Sequence, residues 1–249
     1  MKKLIVANWK MNPETIISGR SLLNRSLIIV AKNKAVDFLA AAPAPFLADP
    51  AFKKRAGYLA GQNISWCQSG ALTGEFSAAM LRSLGIKYAI IGHSERRACF
   101  FENEETINLK LKACFEAGLK PILCVGEVVE IRRKGLDLVK IYLKDQLRQA
   151  IAGLEHSLIG KIIFVYEPVW AVGAKEADNP KDSAELINYL KTMLKDFFGI
   201  AKPTILYGGS VDSANIKEIL KEKTIDGVLV GRASVNIEEF SKMIKNAKI

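Results

Sequence analysis

The sequence predicts an α/β fold, a (β/α)8 barrel formed as a single domain over residues 1–249. Three observations predict it. Short, nearly continuous apolar runs recur eight times, amphipathic helical patterns lie between them, and 249 residues is the length eight such units need. A doubly wound open sheet is the alternative. It usually has fewer strands, and no G-x-G-x-x-G follows the first run here.

The expected strands are "KLIVANW" (3–9), "VDFLAAAP" (36–43), "YLAGQN" (58–63), "YAIIGH" (88–93), "KPILCVGE" (120–127), "KIIFVYE" (161–167), "PTILYGGS" (203–210) and "DGVLVGR" (226–232). Two helices are legible in detail. In "EETINLKLKACFEAG", Ile107, Leu111, Cys114 and Phe115 share a face, and Gly118 then Pro121 stop the helix. In "DSAELINYLKTMLKDFFG", Asp182 and Glu185 have capping-box spacing, Leu186, Leu190, Leu194 and Phe197 form a stripe, and Gly199 ends the helix. No linker or composition shift marks a second domain.

Composition narrows the function. Hydrophobic residues make up 49% of the chain, and no apolar stretch approaches the ~20 residues of a membrane span. "MKKLIVANWK" lacks a full apolar h-region and a small-residue cleavage site, so it reads as a first strand and not as a signal peptide. The four cysteines show no C-x-x-C and only two histidines are present, so no metal site is expected and a cytoplasmic protein with reduced thiols is. The net charge of +10 permits attraction to phosphorylated metabolites, nucleic acid or anionic surfaces. The lysines are scattered along the chain, however. They read as solvated helix faces, and neither a nucleic-acid nor a membrane partner is expected.

In such a barrel the C-terminal strand ends carry the chemistry. The first expected strand ends in Asn8 and Lys10, the fourth in His93, Ser94, Glu95 and two arginines, and the sixth in Glu167. The seventh ends in Gly208, Gly209 and Ser210, and the eighth in Gly231 and Arg232. Glu167 at the mouth of a dry barrel suits a general base, with an ion pair to Lys10 or an arginine as the competing reading. His93 at a helix start suits a neutral imidazole that donates a hydrogen bond, because the helix dipole opposes a cation there; a satisfied core histidine competes. Lys10 offers positive charge to a developing oxyanion, with a Schiff base as rival chemistry and a surface lysine as the bland reading. Asn8 adds a hydrogen bond or orients Lys10. The glycine turns "YGGS" and "VGRAS" suit a phosphate. His156, in "GLEHSLIG", reads as a surface histidine. Together these groups fit proton abstraction beside the carbonyl of a small phosphorylated substrate.

"ANWKMN", "TGE", "IIGHSERR", "CVGE", "YEPVWAVG", "YGGSV" and "DGVLVG" resemble triosephosphate isomerases in order and spacing, over essentially the whole chain. The resemblance implies a TIM barrel, no cofactor, and interconversion of dihydroxyacetone phosphate and glyceraldehyde 3-phosphate in glycolysis and gluconeogenesis. It implies that Glu167 is the base, His93 the electrophile, Lys10 and Asn8 the binding and oxyanion-stabilising pair, and Glu95 their support. It implies a phosphate grip from the amides of Gly173, Ser210, Gly231 and Arg232, an apolar clamp from Val172 and Leu229, and a lid over 168–178. "QSGALTGE" (68–75) resembles the loop that docks into a second subunit with Thr73 near the partner's site, which implies a homodimer. The lid reads "AVGAKEAD" where the family usually has "AIGTGKTA", and Arg232 stands where a glycine is usual. Lys175 and Arg232 are therefore expected to add positive field for an anionic substrate. Two other classes compete: another phosphate-binding barrel enzyme with a Schiff-base lysine, and a non-catalytic basic binding module.

Overall fold

The computed structural model describes residues 2–171 and 179–247. Eight parallel strands close a barrel in sequence order, β1-β2-β3-β4-β5-β6-β7-β8. They are β1 Lys3–Asn8, β2 Val36–Ala41, β3 Leu59–Gly61, β4 Tyr88–Ile91, β5 Lys120–Val125, β6 Ile163–Tyr166, β7 Thr204–Tyr207 and β8 Gly227–Val230. Each expected run contains one strand. β3 is shorter than its run, and Gln62 and Asn63 lie beyond it.

Strand parity decides what faces the barrel axis. Val6, Leu39, Ile90, Ile122, Cys124, Val165, Leu206 and Leu229 form an inner cluster, while their strand neighbours pack outward against the helices in a larger one. Alternation in steps of two carries the inner face onward past the last apolar residue of each strand. Asn8 and Lys10 follow Leu4 and Val6 in phase; Glu167 follows Val165, Gly208 follows Leu206, and Gly231 follows Leu229. These five rim residues are thus the next inward positions of otherwise apolar strands.

Helix ends follow local chemistry, with one correction. Asn103 caps Glu104–Glu116 by accepting from the Thr106 N–H. The helix Pro180–Phe198 is capped by Asn179, which accepts from the Lys181 N–H, and not by Asp182. Pro180 is favoured at the first helical position, so the helix starts a few residues earlier than the capping-box spacing suggests. Asp182 instead accepts from Arg132 Nη2 at 2.7 Å. Gly199 ends the helix in the left-handed conformation (φ 68°), as expected. Leu186, Leu190 and Leu194 are buried together with Ile187 and Met193, but Phe197 is exposed. The neighbouring helix Leu136–Ala150 presents Lys144 there, its ammonium 5.1 Å from the ring centroid, in place of an apolar partner. Among the described residues no helix is long and apolar enough to cross a membrane.

Candidate active site

The C-terminal rim encloses a cavity of about 700 Å³ whose lining includes Asn8, Lys10, His93, Glu167, Ser210, Leu229, Gly231 and Arg232. Residues separated by more than two hundred positions in the chain thus meet in one concave site.

Glu167 is 2% exposed. Its Oε2 accepts the Ser94 N–H at 3.0 Å, and its Oε1 lies 3.2 Å from His93 Nε2. Oε1 makes no hydrogen bond, so that short approach is not aligned as one. The space for this carboxylate is cut by glycines. A Cβ on Gly208 would stand 2.7 Å from Glu167 Cγ, and one on Gly126 would stand 1.6 Å from the Glu167 carbonyl oxygen. Beneath the carboxylate lies Cys124, whose thiol is pushed well up by burial and further by the nearby Glu167.

His93 caps the helix Ser94–Cys99, and its Nδ1 accepts the Glu95 N–H at 3.2 Å. A backbone N–H can only be accepted by an unprotonated nitrogen. The neutral ring therefore carries its proton on Nε2, the atom that faces Glu167. Glu95 also accepts from the Lys10 ammonium through Oε1, while its Oε2 lies 3.8 Å from His93 Nδ1. The competing ion pair between Glu167 and Lys10 is not formed; Lys10 belongs to Glu95.

Lys10 has φ 53°, a left-handed conformation that costs a side-chain-bearing residue about 1 kcal/mol or more. Two contacts hold it: its N–H donates to Asn8 Oδ1 at 3.1 Å, and its carbonyl accepts from Gln62 Nε2 at 2.8 Å. A Cβ on Gly231 would approach Lys10 Cε to 3.1 Å, so this glycine also makes room for the lysine. Asn8 thus orients Lys10 through the backbone.

A family model described as triosephosphate isomerase matches residues 3–247. The chain belongs to the triosephosphate isomerase family. It is 39% identical over 251 residues to the triosephosphate isomerase of Carboxydothermus hydrogenoformans, covering 99% of both chains. It is 38% identical to that of Aquifex aeolicus over 248 residues, covering 98% of this chain and 99% of the other. Among solved structures, the triosephosphate isomerase of Bartonella henselae superposes with a TM-score of 0.85 at 32% identity, with 99% of each chain covered.

The structure thus brings Asn8, Lys10, His93, Glu95 and Glu167 together, and places Ser210, Gly231 and Arg232 along the same cavity. Val172, Gly173 and the lid departures at 174–176 lie outside the described residues. Thr73 is exposed in its loop, and His156 is exposed with its ring 5.9 Å from that of Phe198. Sequence reasoning assigned no role to the Ser94 N–H, to Gly126, or to Glu127. Glu127 is fully buried, accepts from Trp170 Nε1 at 3.0 Å and Tyr166 Oη at 3.1 Å, and has its carboxyl raised chiefly by burial. It lies beside the 168–171 segment that leads out of the site. "CVGE" contained both Gly126 and Glu127, and a carboxylate ending an apolar run was the available signal.

Proposed function

We propose that this chain, acting as one domain over residues 1–249, interconverts dihydroxyacetone phosphate and D-glyceraldehyde 3-phosphate through an enediolate. The observation that carries the reading is His93: its Nδ1 is taken by the Glu95 N–H, which leaves Nε2–H beside Glu167 inside a cavity of about 700 Å³ that the Ser210 and Gly231 turns also line.

Glu167 removes a proton from the carbon beside the substrate carbonyl. His93 Nε2–H donates to the carbonyl oxygen, and the Lys10 ammonium stabilises the negative charge that develops there. The protonated Glu167 returns its proton to the neighbouring carbon, while His93 moves a proton between the two oxygens. One carbon is oxidised as the other is reduced, so no external electron acceptor and no cofactor is needed. The amides of Gly173, Ser210, Gly231 and Arg232 hold the phosphate, and Leu229 and Val172 keep water from the base. Arg232 and Lys175 add positive field at the mouth; Arg232→Gly should then weaken the salt dependence of kcat/KM.

The chain works in the cytoplasm as a homodimer. Exposed Trp66 and Met80, which flank a loop at 68–75 that is exposed over most of its length, support a second copy covering this region. Light scattering on the purified protein tests it, and Thr73→Arg should shift the population toward monomer.

The decisive experiment is isomerisation of glyceraldehyde 3-phosphate with chelator present. The expected rate approaches the diffusional ceiling of about 10⁸ M⁻¹s⁻¹ in kcat/KM and is lost in Glu167→Ala. A folded protein without this activity overturns the reading.

A further inference from the structure

The opposite rim of the barrel carries a second feature. A lysine stands at the start of every strand but β3, or up to four residues ahead of it: Lys2, Lys34, Lys87, Lys120, Lys161, Lys202 and Lys223. All seven are exposed. Along the chain these lysines are tens of residues apart. Barrel closure sets their strands side by side, so Lys87 and Lys120 become neighbours joined by a backbone hydrogen bond of 2.8 Å. Among the described residues, only Lys2 of the seven has an ion pair, with Asp37 at 3.2 Å. Of the carboxylates at this rim, Asp37 pairs with Lys2 and Asp226 is turned to Lys191 and the Ile205 N–H, which leaves Glu116, Glu155, Asp196 and Glu222 against the other six lysines.

Where the ring lacks its lysine, at β3, it has an aromatic. Tyr58 is 49% exposed and precedes Leu59 directly. It lines a cleft of about 700 Å³ with Lys2, Lys34, Arg55, Asn24 and Ile28. Arg55 and Asn24 also border a smaller hollow that adds Arg20 and Lys54.

We propose that this N-terminal rim binds a single strand of nucleic acid. Unpaired ammonium groups set side by side repel one another, and a chain of phosphates relieves that repulsion. Lysines are point charges on flexible stems and grip phosphates without reading bases. Tyr58 offers the stacking face that a single strand uses. A duplex is stiff over roughly 150 base pairs, so it meets only one arc of a closed ring, whereas a single strand follows the curve. An anionic membrane is disfavoured because, of the rim's large exposed apolar groups, Tyr58 and Ile28 lie within the cleft and Phe197 faces the Lys144 ammonium, so no broad apolar face is offered to lipid. The expectation against a nucleic-acid partner rested on lysines scattered in sequence; the fold collects them.

The test is fluorescence anisotropy of a labelled oligouridylate of about 20 nucleotides, longer than a single groove requires. Binding should weaken with salt, with a slope of about −0.7 per phosphate engaged. The quadruple variant Lys87→Glu, Lys120→Glu, Lys161→Glu, Lys202→Glu should lose at least about 100-fold in affinity at low salt and flatten the slope by about 3. Tyr58→Ala should lose about 5- to 100-fold. Isomerase activity should be unchanged in both. If the quadruple variant misfolds by circular dichroism, the same four positions changed to Gln serve instead. The proposal is overturned by absence of binding at low salt, by binding that the variants leave unchanged, or by tighter binding to duplex or to phosphatidylserine vesicles than to the oligonucleotide.

Discussion

At the C-terminal rim Glu167 and His93 are almost wholly buried and face each other across 3.2 Å, with Lys10 held by Glu95. At the N-terminal rim, one strand length away, six lysines stand in water without an ion pair among the described residues. Strands of three to six residues separate the two, about 10–20 Å. The contrast teaches how one scaffold uses charge in two ways. Buried groups are few, fixed by backbone N–H donors and glycine-cut space, and their chemistry depends on protonation. Exposed groups are many, individually loose, and their effect depends on ionic strength.

Conservative substitutions should break this contrast in order of size. Glu167→Gln keeps the side-chain shape and its place against the Ser94 N–H but removes the carboxylate that the proposed reaction uses as its base. Steady-state assay should show kcat lower by about 10²–10⁴. Lys120→Gln, the equivalent change at the other rim, should leave kcat and KM alone. Gly208→Ala comes next. Its new Cβ cannot sit 2.7 Å from Glu167 Cγ, so the carboxylate must move, and about 10²-fold in kcat should go with it. A Gly208→Ala enzyme with full activity would show that the position of the Glu167 carboxylate is not set by this glycine.

Protonation and salt separate the rims further. Burial raises the Glu127 carboxyl above its ordinary 4.5. The neutral form therefore favours folding, an advantage complete below that value and lost as pH climbs through the raised one. Glu127→Gln stays neutral throughout. Its Tm relative to the parent should rise from acid to neutral pH, by about 2–4 °C for each kcal/mol involved. A flat difference curve would remove Glu127 as a source of pH sensitivity. The smallest effect belongs to Lys87→Gln with Lys120→Gln. Stability should change by less than about 0.5 kcal/mol, slightly upward at low salt and not at all at high salt.

Much of this was legible in the chain. The eight apolar runs each contain a strand, and the strand-end residues Asn8, Lys10, His93 and Glu167 do line one cavity. These are readings of local pattern, and a closed parallel barrel gives local pattern a fixed meaning: a strand's last residues are at the rim. The misses were also local in origin. Asp182 has capping spacing, yet Asn179 caps, because Pro180 takes the first helical position. Phe197 continues the apolar stripe, yet it is exposed, because the facing helix presents Lys144.

The sequence by itself determined the alternation that turns Asn8, Lys10, Glu167, Gly208 and Gly231 inward, since parity along a strand is a property of neighbouring residues. Tertiary structure alone decided that Glu167 takes the Ser94 N–H, that Lys10 pairs with Glu95 and not with Glu167, and that seven lysines tens of residues apart share one rim. Those are distances between segments remote in the chain. No local preference encodes them; they are fixed only when the last strand pairs with the first and the barrel closes.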